Sequence, residues 1–274
     1  MQQNSRIPVL ILAGGQGTRL SEETILKPKP MVEIGDIPIL VHIMRWYYSF
    51  GFNDFIICAG YKSWDIKNYF LNYSFRQNHL EIDNRDSFES TPRISGKPLN
   101  QEAWRVRVLD TGAESLTGAR VAKALDLLSQ TEEFSDFALT YGDGLGDIDL
   151  KSELEFHKKH SRIGTVLGVR PVGRFGVLEV KSDGKVTRFL EKPETLETKE
   201  ELINGGFFFF RKDFRKYLTT DSHCSVEREP LSKLAKDSEL MIYKHQGFWH
   251  PMDTLRDKSY LQELWLSKKA PWAV

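Results

Sequence analysis

Glycines and basic residues near the amino end of the chain could together bind a phosphate group. Gly14, Gly15 and Gly17 follow a short apolar run. Three glycines in four residues let the backbone turn tightly and bring its N–H groups close to an anion. Arg19 adds a planar charged group suited to phosphate oxygens, and Lys29 lies on a segment stiffened by prolines. The simpler alternative is a tight surface loop with solvated basic residues.

Two common nucleotide-binding loops do not fit this pattern. A dinucleotide fingerprint requires a glycine three residues after Gly17, where this chain has Leu20. A Walker loop requires glycine, lysine and then serine or threonine, but Gly17 is followed by Thr18 and Arg19. The loop therefore belongs to neither class.

Asp143 is the acidic residue that the sequence places best for binding a metal ion. It lies between two glycines, directly after an apolar run. A carboxylate at a strand end suits a hard cation, which prefers oxygen ligands. His157 and His160 have a spacing that could suggest a second metal site, but no partner residue is evident. We expect those histidines to lie on a solvated helix face.

Length and composition limit the classes of function. The 274 residues are 40% hydrophobic and 28% charged, which suits a soluble α/β domain with a sizeable core. The net charge is zero, so nothing predicts bulk attraction to nucleic acid or to membranes. Two distant cysteines, Cys58 and Cys224, form neither a disulfide framework nor a zinc site. No apolar stretch fits a membrane span or a secretory signal, so we expect a cytoplasmic location.

Apolar runs alternate with helical patterns through the first half of the chain. Strands are predicted over 7–12, 55–59, 104–109 and 137–141, and the apolar runs of the first two indicate burial on both faces. Helices are predicted after an Asp36 cap with Gly51 as the stop, from Ser63, from Ser115, and over 150–160. This alternation predicts an α/β fold with a Rossmann-like mixed, mainly parallel sheet and helices on both faces.

The pattern changes in two regions. Residues 72–103 form a polar excursion with one short strand near 79–82. Strands over 165–170, 176–180, 186–190 and 203–210, with a turn at 182–185, predict a small antiparallel subdomain over approximately 164–210. A helix over 226–236, a strand near 241–243 and a terminal helix follow. No boundary is evident, so we expect one domain over 1–274.

Residues at the carboxyl ends of the predicted strands form a second group of candidates. Thr111 and Gly112 follow one strand, and Ser115 and Arg120 begin the next helix. Open α/β sheets bind ligands at this edge, and helix N-termini favour phosphate. The alternatives are that Ser115 caps the helix and that Arg120 is a surface charge.

Several of these stretches resemble the sugar nucleotidyltransferases, also called nucleoside-diphosphate-sugar pyrophosphorylases. The matching motifs include the glycine loop with its lysines at 12–35, Tyr-Gly-Asp-Gly at 141–144, Glu-Lys-Pro at 191–193, Asn-Gly-Gly at 204–206 and the segment 252–258. They look like one branch in particular, the glucose-1-phosphate cytidylyltransferases. The resemblance covers almost the whole chain, although the polar excursion around 84–103 looks longer than in that branch.

The resemblance implies a role for each matching residue. The implied catalytic residues are Arg19, Lys29, Asp143, Lys192 and Asp253, with Asp143 and Asp253 as Mg²⁺ ligands. The implied nucleotide-binding residues are Leu12, Ala13, Gly14, Gly15, Gln16, Gly17, Thr18, Arg19, Lys29, Thr111, Gly112, Ser115, Arg120 and Gly142. The implied sugar-phosphate residues are Glu191, Lys192, Asn204 and Gly205. A surface pair at Glu191 and Lys192, and a helix cap at Asp253, are the alternatives.

The reaction that the resemblance implies joins CTP and α-D-glucose 1-phosphate, giving CDP-glucose and pyrophosphate. Another nucleoside triphosphate, such as UTP or dTTP, or another sugar 1-phosphate stays open. A non-catalytic sensor that binds sugar nucleotides is the alternative from a different class. We expect a homo-oligomer, because the terminal helix carries an apolar face and the family tends to associate.

Overall fold

Strands and helices alternate through the computed structural model, which describes residues 7–17, 20–83, 92–95, 102–171, 177–180, 185–190 and 202–274. The strands in these residues are β1 (Val9–Ala13), β2 (Glu33–Ile34), β3 (Ile37–Pro38), β4 (Asp54–Ala59), β5 (His79–Glu81), β6 (Arg93–Ser95), β7 (Arg105–Asp110), β8 (Asp136–Tyr141), β9 (Gly144–Gly146), β10 (Gly164–Val169), β11 (Val177–Val180), β12 (Val186–Leu190), β13 (Ile203–Arg211), β14 (Leu240–Lys244) and β15 (Trp249–Pro251). The helices are α1 (Ser21–Thr24), α2 (Ile39–Ser49), α3 (Ser63–Leu71), α4 (Tyr73–Gln77), α5 (Thr117–Thr131), α6 (Leu150–His160), α7 (Glu229–Lys236) and α8 (Leu255–Leu266), and two 3₁₀ helices cover Lys29–Met31 and Lys212–Tyr217.

Seven of these strands form the central sheet, in the order β14-β10-β13-β8-β1-β4-β7. β1 pairs in parallel with β4 and with β8, and β4 pairs in parallel with β7. β10 and β14 are also parallel, whereas β13 runs antiparallel to both of its neighbours. The predicted mixed, mainly parallel sheet is confirmed.

Apolar side chains cover both faces of this sheet. Successive side chains of a strand point to opposite faces, so β1 contributes to two cores. Val9 and Ile11 pack in the core that contains the buried side of α2, and Leu10 and Leu12 pack in the core that contains the buried side of α5. The predicted arrangement, with helices on both faces, is therefore confirmed.

The start of α2 differs from the prediction. Pro38 occupies the N-cap position, and the helix begins at Ile39. Asp36 lies in the turn between β2 and β3 and does not cap the helix, so that prediction is wrong. The predicted stop is confirmed, because Gly51 follows the helix with a φ of 89°, a conformation that favours glycine.

The polar excursion over 72–103 is more regular than its sequence predicts. β5 and β6 form an antiparallel hairpin, which confirms the short strand near 79–82. The helix α4 precedes this hairpin and was not predicted. Residues 84–91 and 96–101 lie outside the described residues.

The predicted antiparallel subdomain over approximately 164–210 contains strands of two kinds. β10 and β13 belong to the central sheet, and β11 and β12 form a separate antiparallel pair. Residues 182–184 of the predicted turn lie outside the described residues. A single domain over 1–274 stays a prediction.

The terminal helix α8 packs on the same body. Leu261 is fully buried, and the ring of Trp265 meets the ring of His42 edge-on, with centroids 4.6 Å apart. Among the described residues, no helix combines the length and the hydropathy that crossing a membrane requires.

One face of α6 buries ionisable side chains. His157 is 1% exposed, and its Nδ1 lies 2.8 Å from Thr165 Oγ1, so the expectation of a solvated helix face is wrong for this residue. Glu153 is fully buried, and neither carboxyl oxygen has a hydrogen-bond partner in the described part of the chain. Burial raises the pKa of Glu153 to about 8, so the folded protein holds this side chain protonated at neutral pH.

Glu153 should make the fold less stable as the pH rises from its ordinary pKa of 4.5 to about 8. In that window the folded state holds a proton that the unfolded state has lost, so rising pH favours unfolding. The stabilisation that proton binding by Glu153 gives the folded state is fully present below pH 4.5 and is lost above about pH 8. Over this whole window the loss is on the order of 5 kcal/mol in the free energy of unfolding. Glu153→Gln should remove it, which denaturant titrations between pH 5 and pH 9 would measure.

The matched control is Glu155→Gln, on the exposed side of the same helix. This variant should keep the pH dependence of the wild type. An unchanged pH dependence in Glu153→Gln would show that Glu153 does not bind a proton on folding.

Candidate active site

A pocket of about 320 Å³ lies at the carboxyl ends of β1 and β8. Its size falls within the range of small-molecule sites. The residues that line it come from the glycine loop, the 3₁₀ helix, the start of α5 and the end of β8. They are Leu12, Ala13, Gly14, Gly15, Gly17, Lys29, Pro30, Ser115, Leu116, Thr117, Arg120, Tyr141, Gly142 and Asp143.

A short strand pair brings Asp143 and Asp253 together. Asp143 directly precedes β9, and Asp253 closely follows β15. These two strands pair antiparallel, with Pro251 opposite Gly144. The Met252 N–H then donates to the Asp143 carbonyl at 2.8 Å. The two aspartates are therefore neighbours in space although they are far apart along the chain.

Lys29 connects the two carboxylates. Its Nζ lies 2.6 Å from Asp143 Oδ2 and 2.8 Å from Asp253 Oδ1. The two acidic oxygens are therefore no more than two hydrogen-bond lengths apart. Burial acts to lower the pKa of Lys29, but the charge of Asp143 and the hydrogen bonds to both carboxylates raise it above its ordinary value. Lys29 is therefore a permanent positive charge on the wall of the pocket.

The two carboxylates are suited to hold a divalent cation. With Lys29 they carry a net charge of minus one, which favours a cation. No group of three histidine, cysteine, aspartate or glutamate side chains in the described residues could hold a metal ion. Mg²⁺ commonly uses one or two carboxylates and takes its other ligands from water and phosphate. The carboxylates of Asp143 and Asp253 match this common mode of binding.

Gly14 lets Arg120 approach the glycine loop. A Cβ on Gly14 would lie 2.1 Å from Arg120 Cζ, so only glycine allows this contact. The Gly14 carbonyl accepts hydrogen bonds from the Tyr61 N–H at 3.2 Å and from Arg120 Nη2 at 2.9 Å. These bonds hold the first part of the loop, whereas Gly15 and Gln16 are exposed.

Arg120 is 3% exposed, which excludes the alternative of a surface charge. Besides Gly14, its guanidinium donates to the Ala59 carbonyl at 3.0 Å, to Thr111 Oγ1 at 2.7 Å and to the Gly112 carbonyl at 2.8 Å. Arg120 thus ties together three loops at the carboxyl edge of the sheet. It also lines the pocket.

Ser115 is held at the entrance to α5. Its hydroxyl donates to the Thr111 carbonyl at 2.7 Å and accepts from Lys123 Nζ at 3.0 Å. Lys123 also donates to the Thr111 carbonyl at 2.8 Å. The helix begins at Thr117, and its N-cap residue is Leu116, which excludes the alternative that Ser115 caps the helix.

Asn204 and Gly205 lie beside the pocket, at the start of β13. Asn204 Nδ2 donates to the Tyr141 hydroxyl at 3.4 Å, and Trp249 Nε1 donates to the Gly205 carbonyl at 2.7 Å. The Tyr141 hydroxyl in turn donates to Glu227 Oε1 at 2.7 Å. Burial and the Glu227 carboxylate raise the pKa of Tyr141 well above its ordinary value, so this hydroxyl keeps its proton.

Most of the sequence-predicted site residues that the structure describes are adjacent. Ten of them line the pocket: Leu12, Ala13, Gly14, Gly15, Gly17, Lys29, Ser115, Arg120, Gly142 and Asp143. Asp253 joins them through Lys29, and Thr111 and Gly112 through Arg120. Thr18, Arg19, Glu191 and Lys192 lie outside the described residues. The ligand that each residue binds stays a prediction.

Four residues of the pocket wall were not predicted, namely Pro30, Leu116, Thr117 and Tyr141. Tyr141 and Pro30 are each adjacent in sequence to a predicted site residue, and this adjacency could have identified them as pocket residues. Leu116 and Thr117 belong to the turn into α5, where sequence alone does not show which side chains face the pocket.

Known proteins resemble this chain over most of its length. The family model described as nucleotidyl transferase matches residues 8–262. A glucose-1-phosphate cytidylyltransferase of Salmonella typhimurium is 45% identical over 263 residues, which cover 96% of this chain and 97% of that protein. A mannose-1-phosphate guanyltransferase of Hypocrea jecorina is 28% identical, over 92% of this chain and 62% of that protein.

A solved structure shares the fold. The crystal structure of a UDP-glucose pyrophosphorylase complexed with UDP-glucose has a TM-score of 0.65 to this chain. The match covers 96% of this chain and 99% of that one, at 16% sequence identity. At so low an identity the likeness supports the fold and carries no argument about substrates.

Lys29→Met should destabilise the fold by about 2–3 kcal/mol, because two neighbouring carboxylates would lose the ammonium that compensates them. Added Mg²⁺ should restore part of this loss, since it would supply positive charge at the same oxygens. The thermal unfolding midpoint, measured with and without Mg²⁺, gives both quantities.

The matched control is Lys27→Met. Lys27 forms a more exposed ion pair with Glu33, 3.4 Å between Nζ and Oε2, and such pairs contribute little. Equal thermal unfolding midpoints for Lys27→Met and Lys29→Met would show that Lys29 does not stabilise the fold through the two carboxylates.

Proposed function

Since this chain belongs to the nucleotidyl transferase family, we propose that it is a glucose-1-phosphate cytidylyltransferase. The enzyme joins CTP and α-D-glucose 1-phosphate and releases CDP-glucose and pyrophosphate. The 45% identity to the Salmonella typhimurium enzyme, over nearly the full length of both chains, supports this choice of substrates.

One observation carries the proposal that the pocket is catalytic. Lys29, Asp143 and Asp253 come from three separate segments and meet at the pocket through two hydrogen bonds. A pocket that only bound a sugar nucleotide would gain nothing from two carboxylates beside the phosphates, because the carboxylates would repel the phosphates. The two carboxylates would instead hold a divalent cation, whose positive charge would offset that repulsion.

The reaction requires positioning and charge neutralisation rather than a protein nucleophile. An oxygen of the sugar phosphate attacks the α-phosphorus of CTP, and a new P–O bond forms. The bond between the α-phosphorus and the oxygen that bridges to the β-phosphorus breaks, and its electron pair leaves with pyrophosphate. Before these steps, the backbone N–H groups of the glycine loop bind the triphosphate.

Basic residues divide the phosphate charge between them. Lys29 neutralises the triphosphate from the wall of the pocket, and Arg19 assists it from the glycine loop. Lys192 holds the incoming sugar phosphate, while Glu191, Asn204 and Gly205 bind the sugar. Asp143 and Asp253 would hold Mg²⁺, which stabilises the negative charge that develops on the phosphate oxygens. The resemblance supports the roles of Arg19, Glu191 and Lys192.

The pocket wall between Thr111 and Arg120 holds the cytidine. Ser115, Leu116 and Thr117 offer hydroxyl and apolar surface there. The choice of CTP over other triphosphates rests on the identity to the cytidylyltransferase. The more distant guanyltransferase relative indicates that the same fold can serve another base.

Two further expectations accompany this function. A homo-oligomer stays a prediction, which light scattering would test. A cytoplasmic location also stays a prediction, and it fits an enzyme that uses soluble nucleotides.

The assay that tests the function measures pyrophosphate release with each of four nucleoside triphosphates against a panel of sugar 1-phosphates. We expect the highest kcat/KM for CTP with glucose 1-phosphate, and CDP-glucose as the product by mass. Release with UTP and not with CTP would refute the substrate assignment. Tight binding of a sugar nucleotide without release from any pair would favour the sensor.

The controls for this assay are Asp143→Asn and Asp253→Asn. Each keeps the shape of the side chain and removes one negative charge. We expect each to lower kcat at least about 100-fold while the far-ultraviolet circular dichroism is unchanged. A folded variant with full activity would refute the metal assignment.

A further inference from the structure

The first turn of α8 is built around the carboxylate of Asp257. Asp257 Oδ2 accepts hydrogen bonds from the Asp253 N–H at 3.1 Å, from the Thr254 N–H at 2.8 Å and from the Thr254 hydroxyl at 2.9 Å. Its Oδ1 lies 3.1 Å from Nε2 of the buried His250. Both oxygens are therefore engaged, and their direction is fixed.

The bond to the Asp253 N–H goes beyond ordinary helix capping. Thr254 is the N-cap residue, and its side chain accepts from the Asp257 N–H at 3.2 Å, which completes a capping box. Asp253 precedes this box. By also binding the N–H of Asp253, Asp257 fixes the backbone of the residue whose carboxylate contacts Lys29 at 2.8 Å.

The next residue, Lys258, attaches the same turn to α1. Lys258 Nζ donates to Glu23 Oε1, on α1. Thr24, next to Glu23, donates through its hydroxyl to the Gly17 carbonyl at 3.1 Å. The start of α8 is thus linked both to Asp253 and to the glycine loop.

We propose that Asp257 is a positioning residue of the active site, which directs the Asp253 carboxylate toward the divalent cation. This inference rests on the proposed function. Asp257 does not touch substrate or metal. It acts through the backbone of Asp253, and His250 holds it in the required orientation. Mutation of a group that orients a metal ligand in this way commonly lowers metal affinity or activity about 10–100-fold.

A second aspartate, Asp149, caps the helix α6. Asp149 accepts from the Ser152 N–H at 3.0 Å and from the Ser152 hydroxyl at 2.6 Å, at the start of α6. Asp149 is exposed, and its carboxylate forms these hydrogen bonds within its own helix turn. Asp149→Ala removes a helix cap of the same chemistry and is therefore the matched control for Asp257→Ala.

The experiment compares the full-length wild type with Asp257→Ala, Asp257→Asn and Asp149→Ala. Titration with Mn²⁺ as the probe, followed by the loss of the free Mn²⁺ signal in electron paramagnetic resonance, gives metal affinity without turnover. Steady-state rates with CTP and glucose 1-phosphate give kcat and each KM. Both measurements are made at a temperature at which circular dichroism shows every variant folded.

We expect Asp257→Ala to weaken Mn²⁺ binding and to lower kcat, each about 10-fold or more, with both KM values within about twofold of the wild type. Asp257→Asn should recover part of the loss, because its single carbonyl oxygen can still accept from one N–H group. Asp149→Ala should lower the unfolding midpoint and leave Mn²⁺ binding and kcat unchanged.

Wild-type Mn²⁺ affinity and kcat in both Asp257 variants would overturn the inference. An equal loss in Asp149→Ala and Asp257→Ala would also overturn it, since the effect would then belong to helix capping. If the wild type itself made no nucleotide sugar, the proposed function would fail. The Mn²⁺ titration would still decide whether Asp257 orients Asp253.

Discussion

The Lys29 ammonium lies between two carboxylates, 2.6 Å from Asp143 and 2.8 Å from Asp253, and the architecture around the pocket depends on this contact. Two acidic groups so close together repel each other unless positive charge compensates them. Lys29 supplies that charge from a rigid 3₁₀ helix that follows Pro28. Under the proposed function, the Lys29 ammonium neutralises phosphate and the acidic oxygens bind a divalent cation. The same cluster would then serve both the fold and the reaction.

The rest of the structure serves to hold these charges in place. The parallel strands β1 and β8 end side by side and deliver the glycine loop and Asp143 to one edge of the sheet. The β9–β15 pair adds Asp253 from the far end of the chain. Arg120 then joins the glycine loop to the loops after β4 and β7. Because each segment is fixed by its own hydrogen bonds, the site does not depend on a single loop.

Part of the fold and of the site could be predicted from the sequence, namely the features that depend on residues close together along the chain. Continuous apolar runs revealed β1, β4 and β8, because strands buried on both faces leave no polar positions. Asp143 was found at a strand end, but Asp253 was found only through resemblance. Its approach to Asp143 depends on two three-residue strands, which are too short to show a period. The burial of Arg120 could not be predicted either, since it depends on carbonyl groups from three loops that only the folded chain brings together. Glu153 was missed because a buried, unpaired carboxyl runs against its usual preference for solvent.

The most direct measurement of the central claim is anomalous diffraction from crystals of the protein with CTP and Mn²⁺. We expect one manganese peak bound by carboxylate oxygens of both Asp143 and Asp253 and by a phosphate oxygen, with the Lys29 ammonium beside the phosphates. A manganese ion held by the nucleotide alone, with either aspartate turned away from it, would contradict the account.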